Sequence, residues 1–294
     1  MAVIIDPTLT SARRLIEARY AVAAPGTIEA DLRVGLLNLM PTVSETEYDF
    51  LQLLAPAPCN VEITLIRAAS HRPRHAAPPH MATHYTTWEQ LPDNPCLDGL
   101  IVTGAPLDFV DFEDVDYWHE MQQILDDNMA ASLPVMYVCW GAFAALYHRY
   151  GIPMHRADVK LHGIYPTVSV DDPEGLLRGL PAEFAVPYSR YARWPDGAVE
   201  QCKHLAVTAL SQTAGVYIAK DIHAPHYYVS GHVEYDASTL HNEYLRDKAK
   251  GINPRLPEHY YPDDDPTLPP PNRWHDNGVT IFTNWLKSLK SKSL

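Results

Sequence analysis

The chain has 294 residues, 46% hydrophobic and 20% charged, with a formal net charge of −13. This fits a soluble globular protein, either one large α/β domain with embellishments or two small domains. The acidic balance lies in short clusters such as residues 111–116 and 263–265, which argues against nucleic-acid binding; no apolar run is long enough to span a membrane, and no secretory leader is evident, so the expected location is cytoplasmic.

Residues 1–31 combine a short apolar start with a segment, 11–21, whose Leu15, Ile16 and Tyr20 fall at helical spacing. That predicts a leader helix lying on the main body. We read residues 1–32 as an N-terminal extension and 33–294 as one domain, because no repeat or linker divides it. The apolar run 34–40, ended by Pro41, suits a strand buried on both faces. Ser44 and Glu47 then offer an N-cap and a capping-box glutamate for a helix through Phe50, Leu51, Leu53 and Leu54. Residues 61–66 read as a second strand.

The stretch carrying His71, His75, His80 and His84 lacks zinc-ligand spacing and reads as a solvated loop, so no metal is expected. A third strand over 97–104 leads to a turn at Gly104-Ala-Pro106. Trp118, Met121 and Ile124 mark a helix over 114–126. Next, the β-type run 135–138 breaks at Cys139, and an alanine-rich helical segment follows. Strand, sharp turn and helix put Cys139 at the carboxyl edge of a sheet, beside the N–H groups that open the helix. Those donors stabilise a thiolate or an oxyanion. A cysteine there is either a nucleophile or a small buried hydrophobe. The four cysteines, Cys59, Cys96, Cys139 and Cys202, are far apart and are expected as reduced thiols.

Beyond Gly151-Ile-Pro153, short β-type runs at 160–170, 205–210, 215–219 and 226–230 suit a meander or hairpins added to the same sheet. A helix starts at Asp236 and runs through Leu240, Tyr244 and Leu245. The proline-dense loop 254–271 is either functional or draped over the surface, and an amphipathic helix over 279–289 closes the chain. Strands alternating with helices predict an α/β fold, a mostly parallel sheet with helices on both faces. Its ligand site lies outside the carboxyl ends of the strands, where Met40, Gly104 and Cys139 fall.

His232, in Gly231-His-Val-Glu234, follows the run 227–230, and Glu234 two residues on can point the same way. A cysteine nucleophile needs a base, and the base an orienting carboxylate. Elbow cysteine first, His-x-Glu after a later strand, is the order of the flavodoxin-like, class I glutamine amidotransferase-like folds. The segments Leu37-Asn-Leu-Met-Pro41, Asp98-Gly-Leu-Ile-Val-Thr-Gly-Ala-Pro-Leu107, Val138-Cys-Trp-Gly-Ala142, Tyr150-Gly-Ile-Pro153, Ser189-Arg-Tyr191, Gly231-His-Val-Glu-Tyr-Asp236 and Phe282-Thr-Asn-Trp-Leu286 resemble the MetA-type homoserine O-acyltransferases. They do so in order, from Arg33 onward.

That resemblance implies acylation of the L-homoserine hydroxyl from an acyl-CoA, in methionine biosynthesis, through an acyl-thioester on Cys139. It makes His232 the proton acceptor and Glu234 its partner, and it places Lys160, Ser189 and Arg246 at the substrate. Backbone N–H groups at Trp140 and near Met40 are the expected oxyanion donors. No permanently bound cofactor is implied; acetyl-CoA or succinyl-CoA is a co-substrate, the partners are small molecules, and a homodimer is expected. Where the family sorts donors, glycine for succinyl and glutamate for acetyl, this chain has Asp108. A carboxylate there repels a succinyl carboxylate and occupies its space, which favours acetyl-CoA. Departures at Phe143, Tyr188 and Val233 leave L-serine open as an alternative acceptor. Glutamine amidohydrolysis shares the fold and the Cys-His-Glu order, but Tyr137 replaces the first glycine usual at its elbow. A binding protein on this scaffold has no need to keep Cys139, His232 and Glu234 together.

Overall fold

The structure is a computed structural model describing residues 1–71, 79–91, 97–170, 172 and 175–290. Its first elements are β1 (Val3–Ile4), α1 (Thr10–Glu17), β2 (Val22–Ala23), β3 (Leu32–Leu37), α2 (Val43–Leu54) and β4 (Val61–Arg67). Then come α3 (Pro79–His84), β5 (Tyr85–Thr87), β6 (Gly99–Val102), α4 (Trp118–Ala130), β7 (Val135–Val138) and α5 (Trp140–Tyr150). The last part holds β8 (His155–Ser169), β9 (Glu183–Arg193), β10 (Leu205–Ser211), β11 (Gly215–Asp221), β12 (His226–Val229), α6 (Thr239–Ala249) and α7 (His275–Lys290).

All the described strands join one sheet in the order β2-β1-β4-β3-β6-β7-β12-β11-β10-β8-β9, with β5 beside β4. Pairing is parallel from β2 to β12 and antiparallel from β12 to β9. Alternation along each strand explains the layers. Val34, Leu36, Ile101, Met136, Val138 and Val229 point into a core shared with α1, α2 and α7. Leu37, Leu100, Val102, Val135, Tyr137 and Tyr228 point the other way, into a core shared with α4 and α5. With both faces covered, these strands are apolar on both sides, as a buried parallel sheet requires.

Several expectations change. The leader helix spans Thr10–Glu17 and packs on α2, but the residues flanking it form β1 and β2, and Val3 pairs with Val61 in β4. The first residues are thus sheet edge as well as helix. The cap of α2 is Thr42 rather than Ser44. Glu47 turns inward and accepts from Ser11 Oγ at 2.5 Å and Tyr85 Oη at 2.8 Å. His80 Nε2 lies 3.0 Å from the same carboxylate, so part of the histidine-rich stretch is the surface helix α3, tied to the body through His80; His75 falls outside the described residues. The run 226–230 continues the antiparallel meander as β12, beside β11, and also pairs parallel with β7, so it joins the two halves of the sheet. β9, carrying Ser189-Arg-Tyr191, was not among the expected strands. Cys59, Cys139 and Cys202 are free thiols, and Cys96 lies outside the described residues.

Candidate active site

Cys139 stands between β7 and α5 with φ +48° and ψ −117°, a backbone conformation that costs a non-glycine residue on the order of 1–3 kcal/mol. Surroundings hold it there. Its amide donates to Val229 O at 2.7 Å, and its carbonyl accepts from Ala142 N and Phe143 N in the first turn of α5. Trp140 begins that turn, where amides have no intrahelical acceptor. Two glycines allow the close approach. A Cβ on Gly104 would lie 3.2 Å from Cys139 Cβ, and one on Gly141 would lie 2.8 Å from Thr103 O.

Register brings the base to the thiol. Val138 pairs with Val229 in the parallel β7–β12 ladder, so the chain leaving β12 passes the elbow at the same sheet edge. His232 Nδ1 donates to Glu234 Oε1 at 2.6 Å. Its buried Nε2 makes no hydrogen bond, and Cys139 is close enough to act on the charge of the ring. Burial opposes a charge on His232, but Cys139 and Glu234 outweigh it and push the imidazole well above its ordinary value. The loop is braced from three sides: His232 N donates to Pro187 O at 2.9 Å, Gln52 Nε2 to Glu234 O at 3.1 Å and Trp274 Nε1 to Tyr235 O at 2.8 Å. Tyr235 stacks on the imidazole at 4.1 Å between ring centroids.

A polar cluster gathers beside this triad. Lys160 Nζ lies 3.2 Å from Glu243 Oε2 and 3.6 Å from Asp247 Oδ2, and Ser189 Oγ donates to Glu243 Oε2. Arg246, its side chain 50% exposed, reaches Asp247 Oδ1 at 2.9 Å. Burial raises the Glu243 carboxyl, yet Lys160 and the Ser189 hydroxyl together hold it below its usual range. Buried His162, beside Lys160, is pushed down to about 4. Lys160, Ser189 and Arg246 are thus brought together, by two acids on α6 that carry no local sequence signal.

Asp108 Oδ2 accepts from Tyr191 N at 3.0 Å. Burial raises its carboxyl, countered by that bond and by the charges of Arg190, Lys160 and His232. Met40 differs from expectation. Its amide donates to Asn38 Oδ1 at 3.1 Å, so it is occupied, whereas the Gly104 backbone lies against the thiol. Phe143 and Tyr188 are fully buried, so their bulk does not project from the surface of a pocket. A thiol, an imidazole and a carboxylate in series, at a helix start, can carry out acyl transfer by nucleophilic attack.

A profile of the homoserine O-succinyltransferase family matches residues 9–293. The chain belongs to the homoserine O-acyltransferase family. The match begins well before Arg33, so most of the N-terminal segment is part of it. Among its relatives, a homoserine O-succinyltransferase of Aliivibrio fischeri is 41% identical over 258 residues, covering 87% of this chain and 81% of that one. A homoserine O-acetyltransferase of Acetivibrio thermocellus is 39% identical over 255 residues, covering 87% and 83%. Both donor types thus occur among close relatives of this family member. A glutamine amidotransferase of Thermotoga maritima, 12% identical, superposes with a TM-score of 0.59 over 89% of this chain and 99% of its own. That likeness shows the glutamine amidotransferase-like fold.

Proposed function

We propose that this family member is a homoserine O-acyltransferase that works through an acyl-thioester on Cys139, with acetyl-CoA as donor. The observation that carries the reading is the buried Cys139, His232 and Glu234 series at the strand-to-helix elbow. In the first half-reaction the thiol proton passes to His232, the sulfur attacks the thioester carbonyl, and the first-turn amide at Trp140 receives the oxyanion. CoA leaves with a proton. In the second, His232, oriented by Glu234, removes the proton of the acceptor hydroxyl as its oxygen attacks the acyl-enzyme. The acyl–sulfur bond then breaks, the Cys139 sulfur takes that proton back from His232, and the O-acyl product leaves.

Acceptor binding falls to the cluster on β8, β9 and α6. Arg246 offers a planar fork to the amino acid carboxylate, while Lys160 and Ser189 hold the acids that frame the pocket. The donor reading rests on Asp108: a second carboxylate brought next to it is repelled and finds its space taken. A small matrix tests both choices, acetyl-CoA and succinyl-CoA against L-homoserine and L-serine, read as CoA release. Fastest release from acetyl-CoA with homoserine supports the proposal. Succinyl-CoA preference refutes the donor argument, and serine preference refutes the acceptor.

A further inference from the structure

Among the buried tyrosines, Tyr235 stands apart. It is 8% exposed, and its backbone is tied down: Trp274 Nε1 donates to Tyr235 O at 2.8 Å and Tyr235 N to His232 O at 3.3 Å. The hydroxyls of Tyr137, Tyr188 and Tyr217 are sealed inside the protein. Tyr235 Oη is not sealed, and among the described residues it makes no hydrogen bond. A buried ring that keeps a free, reachable hydroxyl is directed at a space that a ligand can enter.

Its two ends face different parts of the site. The ring lies flat on the His232 imidazole, 4.1 Å between centroids and 10° between planes. Glu243 and Arg246 of the polar cluster are close enough to act on the hydroxyl, and so are Cys139 and Glu234. Burial, followed by the charges of Glu243, Cys139, Glu234 and Asp49, raises the phenol well above its ordinary value, so the group stays a neutral hydroxyl. Such an oxygen can accept a hydrogen bond as well as donate one. Glu243 Oε2 is already shared by Lys160 and Ser189. An amino acid with its carboxylate on the Arg246 fork carries its ammonium on the neighbouring carbon, and that ammonium needs further oxygens once it leaves water.

We propose that Tyr235 joins the base to the amino-acid pocket: its hydroxyl accepts from the α-ammonium of the hydroxy amino acid, and its ring steadies the His232 imidazole by stacking. The face of the ring favours the imidazolium, and the hydroxyl holds the substrate so that its own hydroxyl lies at the acyl-enzyme. This rests on the reading that an amino acid is acylated from Cys139.

Tyr235→Phe keeps the stack and deletes the oxygen. Acetyl-enzyme formed without acceptor is chased with L-homoserine or left to water. Water also depends on His232 but has no ammonium, so transfer to L-homoserine should slow about 10- to 100-fold with hydrolysis unchanged. Equal slowing of both, or of neither, overturns the ammonium contact. Binding is also read without turnover, as protection of Cys139 from iodoacetamide, followed by mass on its peptide. L-Homoserine, with L-serine in parallel, should protect Tyr235→Phe only at concentrations about tenfold or more above those that protect wild type. 4-Hydroxybutanoate, which lacks the amino group, should protect both alike. A shift shared by all three compounds, or no protection of wild type by either amino acid, overturns the contact. Tyr235→Leu, or Tyr235→Met if the leucine variant does not fold, removes the stack. Its alkylation profile should move to higher pH, because a less favoured imidazolium leaves the thiol less ionised; an unmoved profile overturns the steadying role. If wild type forms no acetyl-enzyme, the acyl-thioester reading falls, and the protection series still decides on Tyr235.

Discussion

Oε1 of Glu234 accepts from Nδ1 of His232 at 2.6 Å, and the two residues are buried one strand away from Cys139. This contact occupies Nδ1 and leaves Nε2 without a partner. Replacing Glu234 by Gln keeps shape but removes the charge that favours the imidazolium. We expect kcat to fall by about 10²–10⁴ with an unchanged melting temperature. Steady-state rates alongside a thermal melt check this, and near-full activity would assign Glu234 a structural role only.

Cys139 is expected to carry the acyl group. Incubated with acetyl-CoA and no acceptor, the protein should gain the mass of one acetyl group on the peptide containing Cys139. Cys139→Ala should gain none and lose activity by roughly 10⁴ or more. Double-reciprocal plots with both substrates varied should be parallel, as two separate half-reactions require; intersecting lines would point to direct transfer in a ternary complex.

Asp49, on α2, is a buried carboxyl near Glu234. Burial and the charges of Glu234 and Asp236 push it well above its ordinary value, against the Asp236 amide and Arg14. A raised acid favours the protonated fold. Its contribution is fully present below the unfolded value of about 3.9 and is lost as pH rises through the folded value, because the unfolded chain ionises freely in that window. Asp49→Asn removes this loss. Its melting temperature should match wild type near pH ~4 and exceed it increasingly toward pH ~8; a gap that shrinks with rising pH would contradict the assignment.

The proline-rich segment is strapped to β8 at one point. Ile164 N donates to Glu258 O at 2.9 Å and Glu258 N to His162 O at 2.9 Å. Gly163 has φ +155°, and a Cβ there would lie 2.6 Å from Glu258 N. Beyond the strap, Tyr261 Oη lies 2.8 Å from His241 Nδ1, and Tyr260 Oη accepts from His241 N at 3.2 Å. Both contacts clamp α6, which carries Glu243, Arg246 and Asp247. Gly163→Ala should cost about 1–3 kcal/mol and raise KM for the acceptor, while acyl-enzyme formation seen by mass persists. An unchanged acceptor KM would separate the strap from the pocket.

What could be seen in the chain beforehand depended on range. The elbow at Cys139 is written locally, as an apolar run, a break and an apolar helix, and His232 with Glu234 stands directly after a strand. Ser44 and Glu47 form an equally good local pattern, yet tertiary partners won: a glutamate able to reach Ser11, Tyr85 and His80 inside the core does not turn back to cap its own helix. β1 and β2 are each two residues long, too short for any periodicity. In β9, Pro187 and Arg190 break the apolar alternation, because the polar members of that strand belong to the site. Glu243 and Asp247 sit on a polar helix, where acids are ordinary, and only the cations of β8 and the end of α6 give them a purpose.

The central place of β12 has a consequence for how a working enzyme comes into being. Between Cys139 and His232 in sequence lies the whole antiparallel annex, β8 to β11, and β12 must then return to lie between β7 and β11. Closure of that seam pairs residues far apart in sequence, a long-range event of the kind that slows folding. Cys139 and His232 come together only when β12 is seated beside β7. A chain only partly folded therefore holds the Cys139 thiol without the His232 imidazole, and the candidate site is assembled only when the sheet is complete.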